Sequence, residues 1–126
     1  MIKAPAGRVF FAGDTGYGMH FEQICKRFGP MLISLLPIGA YEPRWFMGPV
    51  HMNPDDAVKA HIDLRSRYSL GIHFGTFQLT DESRDAPLAA LDLARAANEI
   101  PSERFFVLDA GEGRLIESEL ETPNSQ

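Results

Sequence analysis

A chain of 126 residues makes room for one domain, and 44% hydrophobic with 23% charged residues excludes a disordered, collagen-like or low-complexity polypeptide. The net charge of −5 divides into +2 over residues 1–80, which hold all four histidines and the one tryptophan, and −7 over residues 81–126. That acidic remainder argues against a nucleic-acid backbone as partner, which needs clustered Lys and Arg.

In chain order, Arg8-Val9-Phe10-Phe11-Ala12 reads as a buried strand stopped by glycine. Residues 13–18 form a glycine-rich turn. Phe21, Ile24, Cys25 and Phe28 recur at helical spacing, and Gly29-Pro30 ends that helix. Residues 31–38 read as a second strand, and residues 39–52 as irregular chain broken by Pro43, Gly48 and Pro49. Asn53-Pro54-Asp55-Asp56 is a helix start, with a capping side chain, a proline suited to the first position and two carboxylates at the positive dipole end. This helix is expected to reach Ser66. Residues 68–77 read as a third strand. Pro87 opens a helix with Leu88, Leu91, Ala94 and Leu93 as inward candidates. Residues 105–108 read as a fourth strand, with 114–117 as a hairpin partner, and residues 121–126 as a frayed tail. Alternating strands and helices predict an α/β layered sheet over residues 1–120.

The chemistry is expected among the histidines. Asp14, on a tight glycine turn after a strand, suits a metal ligand or catalytic base, and equally an Asx-turn bonding its own backbone. The phosphate-loop reading of the same glycines lacks the Gly-Lys-Ser/Thr that would carry it. His73 lies in an apolar strand between Gly71 and Gly75; burial of a bare imidazole is costly, so it is bound to a metal or bonded to a backbone carbonyl. His51, just before the capped helix, is either a group that polarises or orients a substrate or a simple loop histidine. His61 falls on the apolar face of its helix and reads as structural; His20 reads as a cap or surface residue, and Cys25 as packed. Tyr41-Glu42-Pro43-Arg44-Trp45-Phe46-Met47 is a loop unusually rich in aromatics. It must fold back on the core or line an apolar pocket or membrane surface, with Arg44 placed for an anionic group or for Glu42. Met1 to Pro5 has no signal-peptide core, no run of about 18 apolar residues crosses a membrane, and the lone Cys25 closes no intramolecular disulfide. A reducing, cytoplasmic setting is expected.

Taken together and in order, Val9 to Tyr17, Arg27-Phe28-Gly29-Pro30, Leu36 to Met47, His51-Met52-Asn53-Pro54 and Gly71-Ile72-His73-Phe74-Gly75-Thr76-Phe77 resemble the C-terminal half of metallo-β-lactamase-fold hydrolases. The pattern is similar to the N-acyl-phosphatidylethanolamine-hydrolysing phospholipase D branch. The resemblance implies a four-layer αββα fold with two zinc ions between its sheets. In it Asp14 matches the carboxylate bridging the metals and His73 the last histidine ligand. His51 matches a histidine beside the site that contacts substrate, and Trp45 and Phe46 help wall the entrance. The implied reaction is attack of a metal-bound hydroxide on a phosphodiester or related ester.

Two departures qualify the resemblance. Ala110 stands where relatives carry a histidine in Asp109-Ala110-Gly111-Glu112. The superfamily's His-x-His-x-Asp-His motif is absent from the 126 residues. The expectation is a truncated chain with an incomplete metal site and little catalysis of its own. The alternative is a non-catalytic half-fold that self-associates or binds a partner supplying the missing half. A lipid or small-molecule ester substrate and peripheral membrane contact are compatible with the aromatic loop; Asp and His ligands also accept iron or manganese.

Overall fold

The computed structural model describes residues 1–39, 51–74 and 85–116. It begins with an antiparallel pair, β1 (Ile2–Ala4) against β2 (Gly7–Phe11). The helix α1 (His20–Phe28) follows, then β3 (Ile33–Pro37), α2 (Pro54–Asp63), β4 (Tyr68–Ile72), α3 (Ala86–Ala97) and β5 (Phe105–Phe106). The five strands form one sheet in sequential order, β1-β2-β3-β4-β5, with β2 to β5 parallel. Parallel neighbours need a crossover, and helices supply it: α1 between β2 and β3, α2 between β3 and β4, and α3 between β4 and β5.

Local chemistry explains each helix. In α1 the apolar spacing buries Phe21 and tucks Ile24 and Phe28 against the core, while Lys26 and Arg27 sit at the negative dipole end. Gly29, at φ +88°, ends it and donates its N–H to the Cys25 carbonyl at 2.8 Å. In α2 the Asn53 side chain accepts the Asp56 N–H at 2.8 Å, as its sequence demands. α3 buries Leu91 and Ala94 and half-buries Leu88, but Leu93 is 73% exposed, on the opposite side of the helix.

Register sorts the two sheet faces. Phe10, Ser34, Ser69 and Phe105 are aligned across β2 to β5 and face the helices. Phe10 meets Phe21 edge-on at 6.3 Å, and Ser34, Ser69 and Phe105 are fully buried. The serines are satisfied at this depth: Ser34 Oγ bonds Ser66 Oγ and Ser69 Oγ bonds His61 Nδ1, each at 2.6 Å. The next row, Phe11, Leu35, Leu70 and Phe106, faces the other way. Phe11 is 61% exposed, Leu35 and Leu70 are half-buried, and Phe106 lies under the Arg114 guanidinium at 3.9 Å. Among the described residues the helices thus cover one face of a sheet that is apolar on both. One sheet and one helix layer are the partial form of the expected sandwich.

Several boundaries differ from expectation. β1 is an added edge strand. α2 ends at Asp63 rather than Ser66, with Arg65 at φ +50°. β4 ends at Ile72 rather than residue 77, because His73 leaves the extended region at φ +64°. Residues 114–116 form no strand; Arg114 covers Phe106 instead. Residues 75–77 and 117, and the tail 121–126, lie outside the described residues. No helix of the described residues is long and apolar enough to cross a membrane.

Candidate metal centre

In a parallel sheet the carboxyl ends of neighbouring strands open together, which makes that edge a natural ligand site. Here β2 and β4 flank β3 and deliver one residue each. Ala12 N–H still bonds the Leu35 carbonyl at 3.0 Å; Gly13, at φ +66°, then turns the chain so that Asp14 stands clear of the strand. At the end of β4, His73 follows Ile72 directly. His51 arrives from the entrance of α2, two residues before the Asn53 cap.

One ligand atom from each of Asp14, His51 and His73 lies within 4.8 Å of the others. His73 Nε2 is 3.3 Å from Asp14 Oδ1, and the His51 and His73 rings are nearly parallel, 12° apart with centroids 5.7 Å distant. Asp14 and His73 are exposed and His51 is half-buried, so the group opens to solvent on a supported base. Two donors on one tetrahedral zinc stand about 3.4 Å apart, from bond lengths near 2.1 Å. The Asp14–His73 spacing meets that already, and the set as a whole needs only a small closure. One carboxylate and two imidazoles suit zinc, iron or manganese. The residues present therefore fit a divalent cation.

The resemblance placed His51 beside the site as a substrate contact, and the fold brings it together with Asp14 and His73. His61 is structural, as expected: it is buried at the sheet–helix interface, bonded to Ser69 and tilted on Phe105 with centroids 5.5 Å apart. His20 is half-buried at the first turn of α1, with its ring 4.0 Å from that of Phe21 and Nε2 3.3 Å from Thr15 Oγ1; the cap position is Met19, without a side-chain bond. Cys25 is half-buried and free. Around Ala110, the Glu112 carboxylate accepts the Asp109 N–H at 2.9 Å, closing a local turn. Arg44, Trp45 and Phe46 lie outside the described residues.

A tether that the sequence did not announce holds the Asp14 loop. Tyr17 donates its hydroxyl to the Asp63 carboxylate at the end of α2, which pushes its pKa up to about 12. The Tyr17 ring stacks on Phe21, with Lys59 above it at 5.8 Å. One helix thus starts beside His51 and ends on the loop carrying Asp14.

The left-handed backbone of His73 is strained for a residue with a Cβ, at a cost of about 1–2 kcal/mol. His73→Gly and His73→Ala both remove the imidazole, but only glycine relaxes the backbone. The glycine variant is expected to be the more stable by about 1 kcal/mol, as read by urea denaturation; equal stability would show that the strain is not there.

Comparison with known proteins follows the same lines. The β-lactamase superfamily domain matches residues 1–74. The N-acyl-phosphatidylethanolamine-hydrolyzing phospholipase D 1 of Caenorhabditis elegans is 43% identical over 108 residues, which are 83% of this chain and 30% of that protein. The mitochondrial N-acyl-phosphatidylethanolamine-hydrolyzing phospholipase D of Saccharomyces cerevisiae is 42% identical over 87 residues, 68% of this chain and 19% of its own. The chain thus spans less than a third of the length of either relative. The solved structure of Igni18, a metallo hydrolase from Ignicoccus hospitalis, superposes with a TM-score of 0.55 at 23% identity, covering 82% of this chain and 39% of Igni18, a likeness of fold.

Proposed function

The chain belongs to the β-lactamase superfamily, and on that premise we propose that it is part of a metal-dependent hydrolase, probed best as a zinc phosphodiesterase of the phospholipase D-like kind. The observation that carries this reading is the convergence of Asp14, His51 and His73 at the carboxyl edge of the sheet. What a divalent cation supplies at such a site is Lewis acidity, a more acidic water and a counter-charge for oxygens that gain negative charge. The residues of the chain do the rest. Asp14 and His73 hold the cation, and His51 completes the donor set from the stiff entrance of α2. Arg44 is assigned to an anionic oxygen of the substrate, and Trp45 with Phe46 to its apolar portion. N-acyl-phosphatidylethanolamine, named for the two relatives, is the first substrate to try.

Three donors are few for a two-metal centre. The remaining ligands are proposed to come from a segment with the His-x-His-x-Asp-His motif, which the 126 residues lack. The chain alone should bind a cation weakly and turn over little. The test is titration with Co²⁺ or Zn²⁺, followed by a phosphodiesterase assay with and without an added polypeptide carrying that motif. Weak binding by the chain and activity only in the mixture are expected; no binding at millimolar metal would dismiss the proposal.

A second reading, a non-catalytic module, draws on the apolar row of exposed Phe11 and half-buried Leu35 and Leu70, which no helix of the described residues covers. In it a second copy or a separate partner covers that face. A sedimentation series that finds a monomer at all concentrations, cooperatively folded by itself, would count against it.

A further inference from the structure

We infer that Gly39 is a positioning residue for the proposed metal centre, acting through the backbone of His73. The inference rests on the metal-site reading above and extends it to a residue that touches no metal. β3 and β4 stay paired to their last residues, Pro37 beside Ile72, and Ile38 N–H then bonds the Ile72 carbonyl at 3.0 Å. One step further along, Gly39 lies directly against residues 73 and 74. A Cβ at Gly39 would stand 2.3 Å from the carbonyl oxygen of His73, well within van der Waals contact, and 3.1 Å from both Cα and Cβ of Phe74. Two of these three obstacles are backbone atoms, so no rotation of a side chain makes room. Such close approach admits glycine alone.

The neighbour being crowded is the residue under strain. His73 leaves the sheet at φ +64°, and that turn sets the direction in which its imidazole leaves the end of β4, with Nε2 3.3 Å from Asp14 Oδ1 and the ring near-parallel to His51. A left-handed residue with a Cβ persists only where its surroundings hold it. Gly39 is the wall on one side of that bend. Any side chain there pushes the His73 carbonyl outward, rotates the bend and takes the imidazole off the other two donors.

Gly71 provides the control. A Cβ there meets Ile38 Cδ1 at 2.9 Å and Val107 Cγ1 at 3.1 Å, which are side-chain tips on the same part of the sheet. Gly71→Ala therefore disturbs packing without pressing on the His73 backbone.

The experiment compares wild type, Gly39→Ala, Gly71→Ala and Gly39→Ala/His73→Gly by Co²⁺ absorption titration, urea denaturation and NMR of the metal-free proteins. Gly39→Ala is expected to weaken Co²⁺ binding at least tenfold and to shift the His73 and His51 imidazole resonances. Gly71→Ala should lose stability but keep both. Wild-type-like Co²⁺ binding in Gly39→Ala would overturn the inference. If wild type itself takes up no Co²⁺, the metal-site reading fails separately, and the NMR arm still decides: unmoved His73 resonances overturn the link to Gly39. Should Gly39→Ala not fold, the double variant is expected to recover, because glycine at 73 can absorb the displacement. Failure to recover would also overturn it.

Discussion

Asp14→Ala is expected to weaken divalent-metal binding by the chain roughly 100-fold or more, since losing even an outer-sphere partner of a metal site costs 10–100-fold. The fold should hardly notice. The Asp14 side chain is 61% exposed and stands beyond the last ladder bond of β2, and surface substitutions of that kind change stability by about 0.5 kcal/mol or less. Isothermal titration with Zn²⁺ and Co²⁺ reads the first effect and urea denaturation the second. The pairing of a large loss in binding with a small loss in stability is the diagnostic result. Unchanged affinity would remove Asp14 from the donor set and with it the main support for a metal centre.

The second large effect is acid sensitivity, and it comes from a different histidine. Burial beneath Phe105, helped by the positive charge of Arg104, lowers the His61 pKa from 6.5 to about 4. The unfolded chain therefore binds a proton at a pH where the folded chain refuses it. Stability is full above pH 6.5 and falls as the pH drops through 6.5 toward 4, by up to about 3 kcal/mol. Denaturation midpoints at pH 7 and pH 5 should differ accordingly. In His61→Gln, whose amide can still bond Ser69, the difference should shrink; this comparison isolates His61 from the other three histidines. A variant with the same pH profile as wild type would show that His61 is not the source.

How much of this was legible in the residues alone varies with the physics behind each feature. α2 announced itself because capping is local chemistry: Asn53, Pro54 and two aspartates within four positions leave little choice. The strands β2 to β4 were likewise visible as apolar runs bounded by glycine and proline, although β2, expected to be buried, is only half-buried and leaves Phe11 exposed. β1 was not, because three exposed residues paired at an edge carry no burial pattern. The end of β4 was missed for a reason of the opposite kind. The string Ile72-His73-Phe74 looks extended, yet His73 turns at φ +64° where the chain passes against Gly39, 34 positions earlier, a neighbour that only tertiary structure supplies. The hairpin expected at Arg114 gave way to a guanidinium over an aromatic ring, an attraction as good as a ladder bond for a single residue at the sheet margin.

The candidate site divides in the same way. The settings of Asp14 and His73, a carboxylate on a glycine turn and an imidazole in an apolar strand, left an Asx-turn and a carbonyl-bonded histidine open, and the resemblance singled out both residues as ligands. His51 offered its place before a cap and, by resemblance, a position beside the site. Its nearness to Asp14 and His73 depends on the strand order, which sets β2, β3 and β4 side by side so that residues 14, 51 and 73 converge. The Tyr17–Asp63 tether spans 46 positions and joins two residues that are each unremarkable in sequence.

The two-sided apolar sheet has a consequence for how such a polypeptide is made. A sheet with one polar face can finish folding as soon as its helices close over the other. This one, among the described residues, carries apolar side chains on both faces, and its parallel strands form only after long crossovers, which folds slowly. Until the row of Phe11, Leu35 and Leu70 is covered, the nascent chain presents a sticky surface to every other chain nearby. The time between synthesis and cover, more than the final stability, would then govern how much of it survives as folded protein in the cell.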